Sequence, residues 1–308
     1  MVGVPRRTWN RPNSHGYSSR VLAVTLAAFL SAAVLTGGCG SVQGDVQNYL
    51  QMARPILDNI TGHLSDLRNY LAQPLAGQEG IKDSLADFRK ALAEGQEKLD
   101  ETNEPEPCGE LTRLLRISLG QGRETADMIT PFADNLGDLA PLAKQASDIV
   151  SVLSRMDSDE EIAAAMASYQ SRGERLASGL QTVFVSQTFQ PVREELAAFI
   201  ETMNKQLADA QKTAERTLEQ TPPPEEEQSG QTSSAQQKKQ KKSGPLMRVV
   251  SDIADDWGRT DGKITAMVDG LLQASGLSSK QAEFDSTVTQ ILGQIQNLEQ
   301  QYKVSSGK

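Results

Sequence analysis

Apolar residues recur alternately three and four positions apart through most of this chain. Val46, Leu50, Ala53, Leu57, Ile60, Leu64, Leu67 and Leu71 form one unbroken series. Ile81, Leu85, Phe88, Leu92 and Leu99 form a second, with Gly95 filling a gap. Ile162, Met166, Tyr169, Leu176, Leu180 and Val183 make a third, and Val192, Leu196, Phe199, Met203 and Leu207 a fourth. A fifth runs through Val250, Ile253, Trp257, Ile264, Met267 and Leu271, and a sixth through Phe284, Val288, Ile291, Ile295, Leu298 and Tyr302. A mean step near 3.5 keeps one apolar stripe on one helix face, and such stripes pack as knobs into holes. No segment alternates with a period of two. The pattern predicts an all-α protein: an elongated antiparallel helical bundle of coiled-coil hairpins, with seven or eight helices.

Breakers and caps divide these stripes. Gln73-Pro74 and Gly77 to Gly80 separate the first two helices, and Asn103 to Pro107 ends the second. Thr130-Pro131 predicts an N-cap with proline at the first helical position. Pro141 predicts a kink or short break. Ser158 with Glu161, and Ser278 with Gln281, have the capping-box spacing. Pro55, Pro131 and Pro191 each precede an apolar residue and a downstream acid or amide. That likeness is an irregular duplication or convergence on a good helix start.

One stretch has no stripe. Residues 221–245 hold Pro, Glu, Gln, Ser and Gly, then Lys238, Lys239, Lys241 and Lys242, with no bulky apolar residue. Such a segment cannot bury enough surface to offset its ordering entropy. It predicts a disordered linker spanning about 25–30 Å on average, solvated or touching anionic lipid or an acidic partner through its lysines. The domain reading is then a main bundle over 46–220, the linker, and a two-helix hairpin over 246–308. Two helices rarely hold a core alone. The hairpin is expected to dock on the bundle, to self-associate, or to bind a partner through 246–304.

The N-terminus has a different pattern. Arg6, Arg7, Arg11 and Arg20 precede an apolar run from Val21 to Leu35, and the first 38 residues carry no acid. The run ends in Leu35-Thr36-Gly37-Gly38-Cys39. A basic head, about 15 apolar residues and small residues before a cysteine make a secretory signal. The five-residue string resembles the lipobox of bacterial lipoproteins, though Leu35 sits one step earlier than the pattern usually has it. The resemblance implies a signal peptide over 1–38, cleavage before Cys39, acylation of Cys39 by diacylglycerol (and palmitate), and a short tether over 39–45. It implies an exported chain anchored by that lipid to the outer face of the bacterial cell membrane, or to the outer membrane if the host has one.

Removal of 1–38 leaves 27 of the 31 basic side chains against all 40 acidic ones, a net charge near −13. That surface repels phosphates, and nucleic-acid binding is not expected. Chemistry is sparse as well. His63 is the sole histidine after residue 38, flanking the first stripe with Tyr49, Ile56 and Tyr70, and one histidine makes no zinc site. Cys108, in a Pro-Glu-Pro-Cys-Gly turn, reads as an exposed thiol, inert or paired between chains. The acids Glu104, Glu106 and Glu110 around it disfavour thiolate.

Two acidic groups invite a metal test. Asp157, Asp159, Glu160 and Glu161 lack the glycine and later glutamate of a calcium loop and suit a helix N-terminus. Asp252, Asp255, Asp256 and Asp261 read as the wet face of an amphipathic helix. Met128, Met156, Met166, Met203 and Met267 are scattered rather than clustered for copper. Neither a catalytic residue, nor a metal, nor a cofactor is expected. The functional expectation is a non-enzymatic, lipid-anchored scaffold or adaptor for an envelope partner. The alternative is a helical carrier of a lipid or small hydrophobic ligand, in which Ala53, Gly95, Gly173 and Ala210 leave a groove or merely allow close packing.

Overall fold

The structure, a computed structural model, describes residues 42–219 and 244–304. Among them are seven α-helices and no strand: α1 (Val42–Leu71), α2 (Ile81–Glu101), α3 (Gly109–Leu153), α4 (Asp159–Thr182), α5 (Gln190–Glu219), α6 (Pro245–Ala274) and α7 (Leu277–Tyr302). Single 3-10 turns at Leu75–Gly77, Glu106–Cys108 and Gln187–Phe189 join them. The stripes are the buried faces. On α1, for instance, Val46, Leu50, Ala53, Leu57, Ile60, Leu64, Leu67 and Leu71 are all buried.

The spine is α3. Its 45 residues rise about 67 Å at ~1.5 Å per residue, and two sets of helices share it. The first set is α1, α2 and α7. Ion pairs Arg116–Asp100, Arg89–Asp127 and Lys82–Asp138 lay α2 antiparallel along α3. Arg54–Glu299 and Arg68–Asp285 lay α7 antiparallel to α1, and Lys280–Glu124 ties α7 to α3. The second set is α4, α5 and α6. Phe132 of α3 meets Phe189 edge-on at 5.4 Å between ring centroids. Lys263–Glu195 and the Gln206–Asp256 hydrogen bond join α5 to α6. Exposed pairs of this kind set register more than they add stability. The apolar stripes hold each set around its share of α3.

The C-terminal segment therefore does not form the hairpin expected over 246–308. Its helices meet only slightly: α6 packs on α5, α3 and α4, and α7 on α3 and α1. Each is the fourth helix of a different bundle. Gly276 makes the turn between them. Its φ of 75° is left-handed, which suits glycine, and it turns the chain from α6 into α7. This start replaces the expected Ser278–Gln281 box: Leu277 N–H donates to Ser275 Oγ, and Ser279 and Lys280 N–H to the Gly276 carbonyl.

Other expected boundaries move as well. α1 begins at Val42, inside the expected tether, and α6 begins at Pro245, the last residue of the expected linker. Residues 221–243 of that linker lie outside the described residues. Neither Thr130-Pro131 nor Pro141 interrupts α3, which runs through both. Each interior proline costs on the order of 3 kcal/mol. Ile129, Phe132, Ala133, Leu136, Leu139, Ala140 and Ala143 are buried on either side of them, and that burial outweighs the lost hydrogen bonds. Side chains also bond to carbonyls nearby, though not to those of Asp127 and Gly137, which the prolines leave without a helical donor. Thr130 Oγ donates to the Ala126 carbonyl at 2.8 Å instead of capping a new helix, and Asn135 Nδ2 donates to the Pro131 carbonyl. Asn135 Oδ1 then accepts Ser186 N–H at 2.6 Å, pinning the α4–α5 connection to the spine.

The small stripe residues serve close packing. A Cβ on Gly95 would lie 3.0 Å from Ile56 Cγ2, and one on Gly173 would collide with Asn204 Oδ1. Ala53 and Ala210 are buried to 0% and 1% exposure, packed against their neighbours in the same way.

Candidate functional site

Cys39, the expected lipidation site, lies outside the described residues. Cys108 is corrected. Its thiol is fully buried, because the 3-10 turn before α3 carries it inward under α1. Burial, with the Glu104 carboxylate adding to it, pushes the thiol from 9.0 up to about 11. Beside it the Thr112 hydroxyl donates to the Cys108 carbonyl at 3.1 Å, leaving its oxygen to the buried Tyr49 phenol at 2.5 Å. In this fold the thiol is shielded from solvent and held protonated at neutral pH.

A prediction follows from the shift. Below pH 9 the thiol is protonated in both folded and unfolded chains, and its contribution to stability is complete. As pH rises from 9 towards 11 the unfolded chain ionises first, and that contribution is lost. In a Cys39→Ser chain, N-ethylmaleimide should label Cys108 at pH 8 only at urea concentrations that unfold the protein. Labelling of the native chain would contradict its burial.

His63 is half-buried on α1. It lines a cleft of about 440 Å³ against α2, with Asp66, Asn69, Tyr70, Asp83 and Asp87 among its neighbours. Among the described residues no three His, Cys, Asp or Glu side chains converge to hold a metal ion. The first acidic group does serve a helix start: Glu161 N–H donates to Ser158 Oγ at 3.2 Å, and Asp157 N–H to the Glu161 carboxylate at 3.0 Å.

One role was not legible there. The Asp159 carboxylate accepts Met247 N–H at 3.0 Å and Leu246 N–H at 3.4 Å, so a side chain of α4 caps α6 across 88 residues of sequence. Gly244 leaves room for it, since a Cβ there would collide with that carboxylate. In the second group Asp252 and Asp255 are exposed on the wet face, whereas Asp256 and Asp261 are half-buried. Asp256 binds Arg259 and Gln206, and burial raises the Asp261 carboxyl pKa. Met166 and Met203 are buried in the core, with Met128, Met156 and Met267 packed against it.

No known protein family, curated protein or solved structure matches this chain. Function must therefore be read from its own surface. Among the described residues no helix is long and apolar enough to cross a membrane. Two surface features stand out. Phe184, between α4 and α5, is 90% exposed, far beyond any other large apolar side chain described. Near it a groove of about 280 Å³ runs between α4 and α5, lined by Ala177, Leu180, Arg193, Ala197, Ile200 and Asn204. No spacing rule marks either one, because the groove is assembled from two helices and Phe184 lies in the connection between them.

Proposed function

We propose that the chain is an exported, lipid-anchored helical scaffold that presents a protein-binding surface to an envelope partner and performs no chemistry itself. The observation that carries this reading is the shortness of the sequence between the lipobox-like Cys39 and the first residue of α1. Cys39 precedes the first residue of α1 by three positions, a reach of at most about 10 Å. The start of α1 shares one end of its bundle with the α2–α3 turn and Tyr302, which together line a surface groove. From that end α3 rises about 67 Å, so a lipid on Cys39 would hold the α4–α6 bundle away from the bilayer.

The chemistry of the surface supports the reading too. The one described histidine faces carboxylates in an open cleft, and the one described thiol is buried and neutral. Phe184 supplies the kind of aromatic anchor on which protein interfaces concentrate their binding energy. In-cell photo-crosslinking from position 184 tests the proposal. Scaffold function predicts the same envelope protein from independent preparations, with its yield reduced when the crosslinker is moved to exposed Gln290 on α7. Recovery of self-crosslinks only, or of nothing, would count against it.

A further inference from the structure

The groove between α4 and α5 carries an inference independent of the scaffold reading. Arg193, Ala197, Ile200 and Asn204 follow one another on α5 at spacings of four, three and four, so they share one face. Ala177, Leu180 and Gln181 of α4 form the opposing wall. The floor is apolar and its two ends are polar.

Arg193 lies half-buried at one end, without a carboxylate partner among the described residues. One terminal nitrogen donates to the Leu180 carbonyl at 3.2 Å, and its Nε is buried with no acceptor. Asn204 stands at the other end, about 16 Å along the helix. Its Nδ2 donates to the Gly173 carbonyl at 3.0 Å, and its Oδ1 is buried with no donor. A half-buried guanidinium without an anion is an uncompensated cost, and its planar fork matches a carboxylate better than any neutral group. Glu201 also lines the groove, but eight residues, about 12 Å, from Arg193. It would repel an anion placed at the Asn204 end and leaves the Arg193 end free to accept one.

We propose that this groove binds a single-chain anionic amphiphile, its carboxylate head on Arg193 and its alkyl chain over Ala177, Ala197 and Ile200. Size limits the class. A volume of about 280 Å³ lies just under the range of ~300–1,000 Å³ usual for drug-sized ligands. One alkyl chain fits that space and a two-chain lipid does not. Burial of the chain supplies affinity, at ~0.8 kcal/mol per methylene, and the guanidinium sets polarity and orientation.

Isothermal titration of the mature chain with sodium dodecanoate, kept below its micelle concentration, tests the site. Dodecyltrimethylammonium serves as the control of opposite charge. The expected result is saturable one-to-one binding of dodecanoate and none of the cationic control. Arg193→Gln and Ala197→Leu should each weaken binding by about tenfold or more. Ala197→Leu fills the groove without touching the Arg193–Leu180 bond, so the test stands even if the arginine variant folds poorly. Absence of saturable binding, wild-type affinity in Ala197→Leu, or equal binding of the cationic amphiphile would overturn the proposal.

Discussion

Deleting residues 221–308 should abolish cooperative folding of the whole helical body rather than release a dispensable appendage. The deletion removes one helix from each bundle. From α6 it takes the buried Leu246, Val250, Ile253, Ile264 and Val268, and from α7 Leu277, Phe284, Ile291, Ile295 and Leu298. Full burial of such a side chain contributes about 1.5–3 kcal/mol. Ten of them exceed the ~5–15 kcal/mol by which a typical domain is stable, and the faces they cover on α1, α3, α4 and α5 would be bared as well. Urea unfolding followed by circular dichroism should show a broad, non-cooperative loss of helix in the shortened chain. A sharp transition at the full-length midpoint would mean that residues 42–219 fold without the last two helices. The sequence reading, with a tethered hairpin beside a complete bundle, predicts that sharp transition, and the two accounts part here.

A single side chain should report the same dependence. Phe284 is 1% exposed on α7, so Phe284→Ala should cost about 3–5 kcal/mol, combining lost transfer energy with the cavity left behind. Leu292 lies on the same helix at 47% exposure, and Leu292→Ala should change stability by no more than about 0.5 kcal/mol. Urea midpoints at constant slope would measure both. Equal and small effects from the two variants would show that α7 does not dock by its Phe284 face.

The helices were legible because burial repeats along a helix with a fixed period, and Val46 to Leu71 or Phe284 to Leu298 carry that period in their spacing alone. The Ser158 cap was legible for the same reason, being a contact between residues three apart. What escaped was set by partners distant in sequence. Pro131 and Pro141 have the local signature of helix boundaries, yet α3 passes through them because buried residues flank both sides. Cys108 has charged neighbours in sequence and looks exposed, but a 3-10 turn tucks it beneath Tyr49. Asp159 reads as an ordinary first-turn acid until Gly244 is found against it. The division of α6 and α7 between two bundles depends on which stripe meets which, and spacing carries no information on that choice.

The candidate sites follow the same logic. Cys39 stands out through a contiguous string of residue types, whereas the α4–α5 groove is assembled from Ala177, Leu180, Arg193 and Asn204, none of which is unusual in its own segment. Phe184 is conspicuous only once Val183 and Val185 beside it are seen packed against the core.

Everything proposed about where this chain works begins at Cys39, so the most direct measurement is the mass of its N-terminal peptide, taken from protein isolated from the membranes of its own host. The account predicts a peptide that starts at Cys39 and carries the added mass of a diacylglycerol thioether. A chain that retains residues 1–38, or one whose Cys39 is an unmodified thiol, would contradict the anchor and with it the scaffold held at a membrane.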